Sequence, residues 1–75
     1  MRKIEELFGS AVRKRRVKAG LSQEGFAAKA GIHRTYVSAI ELRKVGISLG
    51  IAQKLADALD LSLSKLVQDA EREGQ

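Results

Sequence analysis

An all-α fold is predicted for this chain by three observations. Proline is absent from all 75 residues. Runs rich in Val, Ile, Thr and aromatic residues, the composition of strands, are missing. Apolar residues recur instead at helical spacing from one end of the chain to the other. Gly and Ser interrupt this pattern at intervals that divide it into five helices.

The first helix is expected over about Lys3–Lys18. Leu7, Phe8, Ala11 and Val12 form its buried stripe, and Gly20 supplies a left-handed stop. Ser22 suits the N-cap of a second helix, about Gln23–Ala30, with Phe26, Ala27 and Ala30 inward. Gly31 makes the turn into a third helix, about His33–Leu42, which turns Val37 and Ile40 inward. A loop follows over Arg43–Ile47. Ser48 caps a fourth helix, about Leu49–Leu59, with Ala52, Leu55, Ala56 and Leu59 on its inner face. Asp60, which tolerates the left-handed conformation, closes it. Ser62 caps a fifth helix, about Leu63–Ala70, and the polar tail Glu71–Gln75 is expected to fray. No repeat, linker or low-complexity tract divides the chain, so residues 1–75 are read as a single domain.

Size and composition narrow the function. A chain this short buries only roughly 60% of its unfolded surface. It has no cysteine, hence no disulfide and no thiolate metal site. A partner subunit is one way such a domain gains stability. No apolar run approaches the roughly 20 residues of a membrane span. The N-terminus, Met1-Arg2-Lys3-Ile4-Glu5-Glu6, lacks the apolar stretch of a signal peptide. A cytoplasmic protein without membrane contact is expected. No His is paired with Asp and a nucleophile, and there is no glycine-rich phosphate loop or metal-ligand spacing. The lone His33 has no partner ligands. Neither an enzyme nor a cofactor or metal site is expected. Charge points elsewhere: residues 1–47 carry 11 Lys/Arg against 4 Asp/Glu, whereas residues 48–75 carry 3 against 5. A basic half of a small domain is the electrostatic footprint expected of a polyanion partner.

The segment from Ser22 to Leu42 gives that partner a shape. It reads as a short helix, a glycine turn and a second helix with Arg34, Thr35, Tyr36 and Ser38 away from its apolar residues. A helix with an apolar back and a front of Arg, hydroxyl and aromatic groups suits a DNA major groove. Ala27 keeps the crossing of the two helices close, Gly31 allows a positive φ at the turn, and Val37 and Ile40 hold the second helix on the core. In the run Arg13-Lys14-Arg15-Arg16, helical geometry sends successive side chains in different directions. Arg16 is expected to turn inward, leaving Arg13 and Lys14 for general electrostatic attraction.

With these landmarks the chain resembles the helix-turn-helix domain of the lambda/434 repressor and Cro superfamily, the XRE class. The resemblance runs from about Phe8 to Val67. It is carried by Phe8-Gly9, Val12-Arg13, Arg16, Gly20-Leu21-Ser22-Gln23-Glu24, Ala27, Ala30-Gly31, Glu41, Ser48-Leu49 and Leu55-Ala56-Asp57-Ala58-Leu59. Within the class, His33-Arg34-Thr35-Tyr36-Val37-Ser38 is similar to the recognition helix of restriction–modification controller proteins. The resemblance implies a compact five-helix bundle of the lambda-repressor-like DNA-binding type. Gln23 would bond a phosphate at a helix N-terminus, and Arg34 and Thr35 would meet base edges, Arg suiting guanine and the Thr methyl thymine. Ser38 and Ala39, one turn on, would reach bases or pack beside them. Tyr36, Arg43 and Lys44 would grip phosphates. Arg16 and Glu41 would form a partly buried structural salt bridge, and Leu63, Leu66 and Val67 a dimer seam.

The chain departs from the class at three places. Gly25 replaces a helix former within the second helix, at a cost of roughly 1 kcal/mol relative to Ala, and leaves Ser22 without a capping-box partner. Arg43 stands where Gly is usual, so it either takes a strained positive φ or the loop follows another path. Asp60 is a milder replacement of the same kind.

The implied function is transcriptional regulation by a homodimer on a (pseudo)palindromic duplex-DNA operator, with control of a restriction–modification operon as the narrower version. RNA polymerase is a candidate further partner, and no small-molecule ligand is expected. The rival is an antitoxin-type interaction module that neutralises a partner toxin and autoregulates its operon. RNA or co-activator binding is a third reading, weakened by the presence of only one Tyr and two Phe to stack on bases.

Overall fold

The computed structural model describes residues 3–74, which form five α-helices and, among the described residues, no strand. They are α1 (Ile4–Lys18), α2 (Gln23–Ala30), α3 (Arg34–Glu41), α4 (Leu49–Ala58) and α5 (Leu63–Glu73). Met1, Arg2 and Gln75, parts of the segments read above as a non-secretory start and a frayed tail, lie outside the described residues. No helix among those described is long and apolar enough to cross a membrane.

All five helices contribute to one core. Its largest fully buried side chains are Val12 of α1, Phe26 of α2, Val37 and Ile40 of α3, Leu55 of α4 and Leu66 of α5. α1 packs along α5 and touches α3, while α2 packs on α3 and α4. The contact between α1 and α3 depends on Gly9. A Cβ at that position would stand 2.2 Å from the Ile40 carbonyl oxygen, a backbone atom with no freedom to retreat.

The helix starts follow local chemistry. Ser22, Ser48 and Ser62 each accept a hydrogen bond from a backbone N–H three residues on: Gly25 at 2.9 Å, Ile51 at 3.1 Å and Lys65 at 3.1 Å. Four helix ends share a second device, a left-handed residue flanked by two reversed backbone bonds. At the end of α1, Gly20 N–H donates to Val17 and Leu21 N–H to Arg16. The same pair of bonds surrounds Gly31, Arg43 and Asp60. Their φ angles are 75° and 72° for Gly20 and Gly31, and 63° and 57° for Arg43 and Asp60. Arg43 thus takes the strained alternative, and the loop keeps the path a glycine would give it.

The expected fraying from Glu71 is corrected: α5 continues to Glu73. The reason lies in α1, far away in sequence. Lys14 pairs with Glu73 at 2.8 Å and Arg15 with Asp69, so the acidic residues of the last turns of α5 lie against cations of α1. The Arg15 guanidinium, hydrogen-bonded to Asp69, holds that carboxyl below its usual value despite partial burial, and Lys65 and Arg72 add to the effect. The same bond raises Arg15. Three of the four cations in the Arg13–Arg16 run are therefore engaged in ion pairs within the chain.

Candidate nucleic-acid interface

α3 is two-sided for a simple reason: Val37, Ile40 and Glu41 fall on one face and are buried. The remaining positions face outward in graded fashion. Arg34 and Thr35, in the first turn, are exposed. Ser38 and Ala39 are half-buried one turn later, so backbone and short side chains form a shallow floor there. Tyr36 is also half-buried, its ring packed against the core. Arg43 and Lys44, just beyond α3, are exposed, and the left-handed turn at Arg43 carries both past the helix end.

The helix is held by a polar cluster on its inner side. Arg16 forks onto Glu41, with Nε donating to Oε2 at 2.7 Å and Nη2 to Oε1 at 3.0 Å. Its Nη1 donates to the Leu21 carbonyl at 2.8 Å. Their side chains are only 11% and 2% exposed, so losing one partner would leave a buried charge unpaired, at a cost of about 3–5 kcal/mol. The hydrogen bond to Glu41 raises the Arg16 guanidinium against the opposing effect of burial. Among the described residues, no buried side-chain polar atom lacks a partner.

Gln23 joins this cluster, which sequence reasoning missed: its Nε2 donates to Glu41 Oε1 at 3.2 Å. The first residue of α2 and the last residue of α3 are thus tied through one carboxylate. Gln23 is half-buried and retains an amide oxygen and a second N–H for a phosphate. His33, at the N-cap of α3, makes no cap bond; its Nδ1 lies 3.0 Å from Thr35 Oγ1 instead.

A second surface feature involves other helices. Ile4, Phe8, Ile47, Leu49, Leu63 and Val67 line an apolar groove where the starts of α1, α4 and α5 meet. Leu49 is 79% exposed, and Ile4 is 48% exposed. Sequence reasoning placed none of Leu49, Ile4 and Ile47 in the expected dimer seam. The available signal was a large apolar residue directly after the Ser48 cap, outside the inner face of α4. Of the three seam residues expected on α5, Leu63 and Val67 are half-buried and border the groove. Leu66 is corrected: it is fully buried within the single chain and has no surface to offer another chain.

A short helix, a glycine turn and a second helix with a buried back and a polar, cationic front define a helix-turn-helix protein. The helix-turn-helix family profile matches residues 12–66, and the chain belongs to that family, the XRE-class type that its sequence resembles. The control protein C.MunI of a Mycoplasma species is 42% identical over 74 residues, covering 97% of this chain and 100% of that one. The control protein C.SmaI of Serratia marcescens is 38% identical over 64 residues, 85% of this chain and 76% of its own. The crystal structure of the restriction-modification controller protein C.AhdI from Aeromonas hydrophila matches with a TM-score of 0.79 at 39% identity, over 81% of this chain and 92% of that one.

Proposed function

We propose that this chain is a transcriptional regulator of the restriction–modification controller kind, binding duplex DNA sequence-specifically as a homodimer. The observation that carries the reading is the exposure of Arg34 and Thr35 at the start of a helix whose opposite face is locked into the core. That end of a recognition helix enters a major groove. Arg34 then reads guanine O6 and N7, Thr35 meets a neighbouring base edge, and Gln23, Tyr36, Arg43 and Lys44 hold phosphates. Likeness to control proteins over nearly the whole chain supports the same reading. The homodimer is supported by the apolar groove with Leu49 standing out of it, since a small domain leaves such a surface uncovered only at a cost in solubility. Two-fold symmetry would place the two recognition helices about 34–36 Å apart, one turn of DNA. RNA polymerase fits as a further partner for a protein acting at promoters.

Selection of bound duplexes from a random library, at about 150 mM salt because phosphate contacts weaken with ionic strength, tests this. The expected product is an inverted repeat with fixed half-site spacing. Recovery of no motif, with only salt-labile binding, would refute sequence-specific regulation.

A further inference from the structure

Two of the five helices, α1 at Lys3 and α3 at His33, start without a side-chain cap bond. α2, α4 and α5 each begin with a serine whose hydroxyl accepts the N–H three residues on. At α3 the position holds His33, and its imidazole makes no such bond. The eight-residue α3 thus starts without the stabilising side-chain cap that α2, α4 and α5 have. The imidazole is directed at Thr35 Oγ1, at 3.0 Å. An i, i+2 contact of this kind also occurs at α5, between the Ser62 and Ser64 hydroxyls at 3.1 Å. There, however, Ser62 caps the helix as well, whereas the contact to Thr35 is the one His33 makes with its ring.

We infer that His33 is a positioning residue that fixes the hydroxyl of Thr35 for base recognition. The inference rests on the DNA-binding reading above. The tautomer follows from the surroundings. Nδ1 faces the first turn of α3, where unpaired backbone N–H groups make the potential positive and favour a lone pair over a second N–H. Nδ1 therefore accepts the Thr35 O–H, and the ring proton sits on Nε2. Thr35 Oγ1 is left without a free proton and presents only lone pairs to the groove. A free hydroxyl rotates to donate or accept and so discriminates weakly; a held one accepts only. Among base edges in the major groove it then favours adenine N6–H2 or cytosine N4–H2 over guanine and thymine on the strand it faces. The methyl group of Thr35 alone would favour thymine, so the two groups give opposite outcomes at that position.

The test is library selection with relative affinities measured for each base at each position. It uses the wild type, His33→Ala, Thr35→Val and the double variant. His33 is exposed and caps nothing, so His33→Ala is expected to keep the Tm of the wild type. It should keep the motif everywhere except at the position affected by Thr35→Val, where preference for adenine or cytosine falls about fivefold. The double variant should match Thr35→Val alone. A uniform loss of affinity, a changed preference at another position, or additivity in the double variant would overturn the inference. So would a wild-type preference for guanine or thymine at that position, or a Thr35→Val profile identical to that of the wild type. In each of those cases the wild-type motif leaves the regulator reading standing. Absence of any wild-type motif would remove both.

Discussion

Three single residues bear on how α3 sits and on what the proposed interface would read. Gly9 is the point where α1 meets the backbone of α3, and the 2.2 Å approach of a hypothetical Cβ leaves no compliant neighbour. Gly9→Ala is expected to destabilise the domain by up to about 3 kcal/mol, measured by urea unfolding, although Ala is the better helix former. An unchanged midpoint would show that α1 and α3 can separate freely. Arg43 holds a left-handed φ of 63° that costs a non-glycine residue about 1–2 kcal/mol. Part of that is recovered by its restriction of the unfolded chain. Arg43→Gly should therefore raise stability by about 0.5–1 kcal/mol while weakening DNA binding, and it should flatten the slope of log affinity against log salt by about 0.9 for each copy, about 1.8 for the proposed dimer on a full operator. A stabilised variant with an unchanged salt slope would remove Arg43 from the phosphate contacts. Arg34→Ala should cost about 1–3 kcal/mol and relax preference at one base pair; an equal loss on all sequences would make Arg34 a phosphate contact instead. The sequence named all three positions but gave a physical reason for only two. Arg34 is legible because the neighbouring Val37 and Ile40 fix which face is free. The alternatives at Arg43 follow from its place after α3. The steric reason for Gly9 required the path of a backbone 31 residues away, which no local pattern encodes.

At the scale of the helix, starts were legible and one end was not. Ser22, Ser48 and Ser62 act within three residues, so the sequence alone carries their effect. The extra length of α5 comes from Lys14–Glu73 and Arg15–Asp69, pairs separated by 59 and 54 residues. A polar tail read in isolation looks solvated; read against the cations of α1 it is a packed turn. This has a consequence for acid stability. Asp69 is depressed in the folded chain, chiefly by its hydrogen bond from Arg15, so the folded state binds its proton less readily than the unfolded state. Its contribution is complete above the unfolded carboxyl value, about 3.9, and is lost as pH falls through the lower folded value. Asp69→Asn should therefore lower stability by roughly 1 kcal/mol at neutral pH, an amount discounted for a pair still partly open to solvent. The difference from wild type should persist to about pH 5 and shrink below about pH 4. A gap independent of pH down to acid unfolding would mean that Asp69 acts through shape and not through charge.

For the whole molecule the proposed homodimer needs a surface that joins two copies, and burial separates the candidates. Leu66 lies on the same helix face as Leu63 and Val67 by spacing, which is why the sequence groups them. In the fold that face is divided: Leu66 is fully buried in the core, and its two neighbours edge the groove. An acidic substitution therefore has different meanings along one helix. Leu66→Asp buries an unpaired carboxylate and should abolish folding, so it reports nothing on association. Leu49 is the better probe, because a side chain 79% exposed contributes little to the single chain and much to whatever covers it. Leu49→Asp is expected to leave the helical circular dichroism spectrum unchanged. On the proposed homodimer, the wild type should sediment as a dimer and the same variant, at equal concentration, as a monomer. Its affinity for a full inverted repeat should fall toward that for one half-site, because a single recognition helix loses the gain from joining two sites on one duplex. Persistence of the dimer in a folded Leu49→Asp variant would move the seam away from the groove and leave Leu49 as a contact for a different partner.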